Sequence, residues 1–269
     1  MTQSEDMTIK VKQSTYIDSL KPMTINTQRS KEKESKVTKE ERRQLRSTVG
    51  QLNWVSGITR PDIGFTLGEI NMSTQHATVK DLLAANKLVK FVKTTQTEIL
   101  FPKFNSLKKV YLKVYTDASF KNLVNGNSRG GHIVFLTDGY NSCPLVWKSA
   151  KIKRVVKSTV AAETLALADG CETAFMLSKL ISEVITGEKD SSLPVVAVTD
   201  NHSLFVAAQS TSKLEDSRLQ IDMNIIRQMI ERKEMSLQWV KSEDQLGDIL
   251  TKSGASGSKL REVISQGHF

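Results

Sequence analysis

Four acidic residues stand where the sequence pattern ends a strand or opens a helix. They are Asp117 in Tyr115-Thr116-Asp117-Ala118-Ser119, Glu163 in Ser158-Thr159-Val160-Ala161-Ala162-Glu163, Asp200 in Thr199-Asp200-Asn201, and Asp248 in Gly247-Asp248-Ile249. An acid at the end of an apolar strand points into the crevice where open α/β sheets bind ligands. Taken singly, each suits a surface or capping role: Asp117 could cap a turn, and Asp200 the helix that follows it. Four carboxylates in one crevice are another matter, because they repel one another unless protonated or bound to cations. Oxygen ligands without His or Cys select Mg²⁺, with Mn²⁺ as a substitute. Two such ions about 4 Å apart serve phosphodiester hydrolysis. The set therefore reads as a metal nuclease rather than a glycosidase, which needs only a pair of acids.

Period-2 and period-3.6 patterns supply the elements that must position these acids. Val110, Leu112 and Val114 alternate with Tyr111, Lys113 and Tyr115, predicting a strand that runs into Asp117. Asn125-Gly126-Asn127, Gly130-Gly131 and Asp138-Gly139 read as turns that bracket strands at 133–136 and 145–147, so the first three strands form an antiparallel meander. Ser158-Thr159 caps a long helix from Val160 to about Ile185, and Pro194–Val198 is a buried strand ending at Asp200. A strand, a long helix and a strand make a right-handed crossover, which places this strand parallel to one of the first three. A short helix (204–208), a longer one (215–232), a last strand (237–240) and a helix opened by Ser242 (243–250) follow. This is α/β architecture: a mixed five-stranded sheet flanked by helices, preceded by a mostly helical segment.

In that first segment Thr38 and Glu41 have capping-box spacing, Pro61 opens a second helix, and a third runs from about Thr78 to Val92. Residues 24–37 are rich in charge and poor in large apolar groups, as a solvated linker would be. The expected division is 1–105 helical, 106–252 α/β, and 253–269 a C-terminal tail.

The chain has 269 residues and a formal net charge of +9, of which the first 105 residues carry +6. A basic excess fits a nucleic-acid partner, although it does not prove one. Cys143 and Cys171 are the only cysteines, which excludes a disulfide scaffold and suits a reducing, intracellular compartment. No run of about 18 apolar residues spans a membrane, and the polar N-terminus is not a secretory signal. His76, His132, His202 and His268 are scattered without cysteines at ligand spacing, and no Gly-rich phosphate loop is present.

The four motifs, together with Glu243-Asp244-Gln245-Leu246-Gly247-Asp248-Ile249-Leu250-Thr251-Lys252, resemble the ribonuclease H domain at the C-terminal end of copia-type retrotransposon Pol polyproteins. Upstream, Val49-Gly50-Gln51-Leu52 and Thr59-Arg60-Pro61-Asp62-Ile63 look like the helical connection that follows the reverse-transcriptase palm in those polyproteins. The resemblance implies a ribonuclease H-like fold and cleavage of the RNA strand of RNA–DNA hybrids. It also implies that Asp117, Glu163, Asp200 and Asp248 hold two Mg²⁺ ions. No Asp-Asp pair in a tight hairpin precedes these motifs, so the chain reads as the tail of a polyprotein or a piece of a decayed element. Its expected place is the cytoplasm, the nucleus or a retrotransposon particle, alongside the rest of that polyprotein. Relatives carry a His before the Ile-Asp pair near residue 220, where this chain has Gln220-Ile221-Asp222, and Leu-Ala-Asp where it has Leu246-Gly247-Asp248.

A hybrid presents 2′-hydroxyls across a wide minor groove, so Ser119, Ser158, Thr159 and Asn201 are candidate substrate contacts. Ser158 and Thr159 serve equally well as helix caps. Lys151, Lys153 and Arg154, in an acid-free run from Lys148 to Lys157, are candidate phosphate contacts, or else a solvated face. A second reading competes throughout: a catalytically silent or domesticated module from the same element, gripping nucleic acid or protein without cutting.

Overall fold

The computed structural model describes residues 1–121, 123, 126–211 and 216–269. Strands β1 (Thr2–Gln3) and β2 (Ile9–Val11) lead into helices α1 (Ser14–Ser19), α2 (Thr27–Lys31), α3 (Lys39–Ile58), α4 (Gly64–Ser73) and α5 (Val79–Thr94). Helix α3 opens on the expected capping box: Thr38 accepts from the Glu41 amide, and the Glu41 carboxylate accepts from the Thr38 amide. Asp81 does the same work for α5, accepting from the Thr78 amide at 2.7 Å. Leu45, Val49, Leu52, Leu67, Ile70, Leu82 and Val89 face one another as the core of this layer, whereas Trp54, on the same apolar period, is 57% exposed. Strand β3 (Ile99–Phe101) then returns to pair antiparallel with β2.

Residues 24–37 are more ordered than a linker. Arg29 of α2 reaches both carboxylate oxygens of Glu41 at 2.9 Å, Glu32 at 2.7 Å and the Lys36 carbonyl at 2.8 Å. A guanidinium with its donors in a fixed fork holds the segment, helped by Val37, which is buried in the core of the helical layer, and Ile25 packed against that core.

The second part contains β4 (Tyr111–Ser119), β5 (Arg129–Thr137), β6 (Ser142–Lys151), α6 (Thr159–Thr186), β7 (Val195–Thr199), α7 (His202–Gln209), α8 (Ser217–Glu231), β8 (Met235–Trp239) and α9 (Ser258–Gln266). The sheet order is β6-β5-β4-β7-β8. Strands β4, β5 and β6 are antiparallel neighbours, and β7 lies parallel to both β4 and β8. This is the mixed five-stranded sheet that the sequence pattern predicts. The expected starts of a turn at Asn125 and of a helix at Glu215 lie outside the described residues.

Both faces of the sheet are covered. Val114, Val134 and Ala197 pack with Leu167 and Cys171 of α6 and with Met223 and Ile226 of α8. Tyr115, Ile133, Phe135 and Val198 pack with Leu246, Leu250, Leu260 and Ile264 on the opposite side. Alternate residues of each central strand therefore enter different cores, which is why these strands read as nearly continuous apolar runs.

Three differences from the sequence expectation have physical causes. Gly130 and Gly131 lie inside β5, not in a turn. A Cβ at Gly131 would stand 2.7 Å from the Leu250 Cβ, so glycine serves close approach there. The expected 243–250 helix is two single 3-10 turns, Ser242–Asp244 and Asp248–Leu250. Gln245 interrupts it by donating to the Thr116 carbonyl at 3.0 Å and accepting from the Gly247 amide at 3.0 Å. Residues 253–269 are not a free tail: α9 buries Leu260, Val263 and Ile264, and the Phe269 ring lies 5.2 Å from that of Phe135.

The helical layer is bound to the sheet through specific groups. Trp147 Nε1 donates to the Ser56 carbonyl at 2.8 Å, the buried Arg129 guanidinium lies 5.0 Å over the Phe65 ring, and Arg261 of α9 reaches Asp62 at 3.1 Å.

Candidate metal centre

Asp117 sits near the end of β4, paired in register with Gly131. Its side chain is fully buried because the backbone of Gly247 lies against it: a Cβ at Gly247 would be 3.2 Å from the Asp117 Cβ. Gly247 therefore matters as a close contact. Glu163 lies in the first turns of α6, whose Ser158 cap accepts from the Ala161 amide at 3.1 Å. Ala162 and Ala166 press that helix against Ala118, and a Cβ at Gly170 would stand 2.6 Å from Thr116 Cγ2. These small residues bring the Glu163 carboxylate to the strand. Asp200 follows β7 directly, and its Oδ2 accepts from the Ser242 hydroxyl at 2.7 Å.

One carboxylate oxygen from each of Asp117, Glu163 and Asp200 lies within 4.8 Å of the others. Asp248 stands apart from that trio. Its Oδ1 is 2.7 Å from Lys252 Nζ, and the same ammonium is 3.3 Å from Asp117 Oδ1. Thr251 donates to Asp117 Oδ2. Lys252, Thr251, Ser242 and Gln245 thus hold the acids in place. In sequence, Lys252, Thr251 and Gln245 stand only within a motif and Ser242 only as a cap. A lysine four residues after an acid was the available signal for Lys252.

Electrostatics sharpens the picture. Burial pushes the Asp117 carboxyl up to about 6, against the opposing pull of Lys252 and the Thr251 hydrogen bond. Burial, with Asp117 and Asp200 close by, pushes Glu163 up to about 9. Burial also raises Asp248. Burial lowers the Lys252 ammonium, but Asp117, Asp248 and Asp200 outweigh it and leave the group raised. Glu163 Oε2 is buried without a hydrogen-bond partner, and Asp117 Oδ1 accepts no hydrogen bond. Buried carboxylate oxygens left unsatisfied, in an all-oxygen set, fit a hard divalent cation.

The folded protein holds protons on Asp117 and Glu163 that the unfolded chain has released above pH 4 to 5, so metal-free stability falls as pH rises from about 4 through about 6 and on to about 9. Thermal melts in EDTA at pH 5, 7 and 9 should show that decline. Glu163→Gln should stabilise the metal-free protein at pH 9 by about 1–3 kcal/mol, because it removes a buried, poorly satisfied charge. A flat profile, or a less stable Glu163→Gln at pH 9, would contradict the protonation assignment.

The candidate substrate residues are less uniform. Ser119, two residues beyond Asp117, is buried with a hydroxyl that lacks a hydrogen-bond partner. Lys151 and Lys153 are exposed, as is Thr159. Arg154 is exposed but tied to Asp222 at 2.6 Å. Ser158 caps α6, and Asn201 caps α7 by accepting from the Leu204 amide at 3.0 Å. Beside the start of α6 lies a groove of about 590 Å³, lined by Arg154, Val155, Lys157, Leu165 and Arg218 among others.

No protein-family model matches the chain. It is 26% identical over 211 residues to the retrovirus-related Pol polyprotein from transposon RE1 of Arabidopsis thaliana, covering 78% of this chain and 14% of that one. It is 23% identical over 207 residues to the corresponding polyprotein from transposon TNT 1-94 of Nicotiana tabacum, covering 77% and 15%. Among solved structures, LC11-RNase H1 in complex with an RNA/DNA hybrid is 19% identical, with a TM-score of 0.40 over 52% of this chain and 93% of that one. The chain spans about 14% of the length of the curated relatives it matches first. No helix among the described residues is long and apolar enough to cross a membrane. Over 78% of its length, then, the chain is similar to retrovirus-related Pol polyproteins from transposons.

Proposed function

We propose that residues 106–252 form a ribonuclease H-type endonuclease domain that cuts the RNA strand of RNA–DNA hybrids with Mg²⁺, and that residues 1–105 are its helical connection to the rest of a Pol polyprotein. The convergence of Asp117, Glu163 and Asp200 carries this reading. Asp117, Glu163 and Asp200, with Asp248 beside them, are the residues that would hold the metal. A divalent cation bound there supplies Lewis acidity for phosphodiester hydrolysis.

The chain's own residues supply the rest. Ser242 and Thr251 orient the carboxylates of Asp200 and Asp117 before any ligand arrives. Preorganised oxygens do not have to be turned or desolvated on binding, so less of the binding energy is lost. Lys151 and Lys153 offer phosphate contacts that fix register without reading sequence. Arg154 has Asp222 to neutralise it, so it contributes less free charge.

Incubating the folded protein with a labelled hybrid tests the proposal. RNA-strand cleavage that requires Mg²⁺ and disappears both in EDTA and in Asp200→Asn is the expected result. A folded protein that retards the hybrid without cutting it would favour the silent binding module instead.

A further inference from the structure

The four acids are not equivalent, and Lys252 divides them. Asp117, Glu163 and Asp200 form one set of mutually close oxygens. The Lys252 ammonium already lies between two carboxylates, 2.7 Å from Asp248 and 3.3 Å from Asp117. Its position is built into the fold: the Lys252 amide donates to the Asp248 carbonyl at 2.9 Å, and the Leu250 amide to the Gly247 carbonyl at 2.9 Å. The adjacent Thr251 hydroxyl donates to Asp117. The lysine side chain is 39% exposed, so it has room to swing into solvent.

We propose that Lys252 is the resident cation of the Asp117–Asp248 edge, so that one divalent ion binds to Asp117, Glu163 and Asp200, and a second enters only by displacing the Lys252 ammonium. The inference rests on the metal-centre reading above and refines it. A charge already neutralising two carboxylates competes directly with an incoming ion, and within about 4 Å that competition is strong at the effective dielectric of a partly buried site. The two ions therefore bind in order and with separated affinities. At low metal concentration the lysine supplies the positive charge on its side of Asp117.

The test is calorimetric titration of the metal-free full chain with Mn²⁺, with bound ions counted by electron paramagnetic resonance. The wild type should take up one ion tightly and a second about tenfold or more weaker. Lys252→Met should tighten the second ion by about tenfold or more, and the first, which shares Asp117 with Lys252, by a smaller factor. Lys252→Gln carries the same expectation should Lys252→Met fold poorly, and Lys252→Arg should keep the wild-type order. A second ion that binds equally in wild type, Lys252→Met and Lys252→Gln would overturn the role of Lys252 alone. No Mn²⁺ uptake by the wild type, or uptake that survives Asp117→Asn undiminished, would overturn the metal-centre reading and this inference with it.

Discussion

Replacing Asp117 by asparagine is expected to reduce Mg²⁺-dependent cleavage of a hybrid about a thousandfold or more, equivalent to about 4 kcal/mol of transition-state stabilisation. Asp117 is the acid with the most partners in the site. Its carboxylate belongs to the trio with Glu163 and Asp200, accepts from Thr251 and faces Lys252. Asparagine keeps the shape and can still accept from Thr251, but it removes the charge that a cation and Lys252 both need. The fold should survive, since a buried carboxyl that resists ionisation is already costly to keep. Circular dichroism and hybrid binding should therefore match the wild type while cleavage is lost. Cleavage within tenfold of the parent would show that Asp117 is not at the reacting centre.

The largest stability effect is expected far from that site. Asp62→Ala should cost about 3–5 kcal/mol, the usual penalty for breaking a buried ion pair from one side. Arg60 is fully buried, with its Nε and Nη2 each 2.8 Å from an Asp62 oxygen. It also donates to the Val92 carbonyl and Thr95 Oγ1, and lies over the Phe91 ring. Without Asp62 that guanidinium keeps its place in the core but loses its counter-charge. Asp62 is also bound by Arg261 of α9, so the same change loosens the C-terminal helix from the helical layer. Urea unfolding should show the loss, and the paired replacement Arg60→Leu with Asp62→Leu should recover much of it. A cost below about 1 kcal/mol for Asp62→Ala would mean that water reaches Arg60.

These two residues show how differently function and framework are written into the chain. Asp117, Glu163 and Asp200 could be picked out because each follows a local pattern, either an alternating strand running into an acid or a capped helix opening on one. The α6 cap at Ser158 and the capping box at Thr38 are equally local, since their partners lie three residues away. Arg60 and Asp62 read merely as a helix boundary, because their burial depends on Val92, Thr95 and Arg261, all 30 or more residues away in the chain.

Local pattern on its own determined the mixed sheet, the crossover through α6 and the three acids at the strand and helix ends, because periodicity and capping act within a few residues. Tertiary structure alone decided the rest. Gly130-Gly131 carries turn residues yet lies in a strand, since Leu250 packs where a side chain would be. The stretch after Ser242 has helical composition yet breaks into two turns, since Gln245 bonds to Thr116 across the fold. The charged 24–37 segment is poor in large apolar groups yet is fixed by the reach of Arg29 to Glu41 and by the burial of Val37 in the helical core. Lys252 sits between Asp117 and Asp248 because the chain brings residues 117 and 252 together over 135 positions, and only the folded backbone sets that distance.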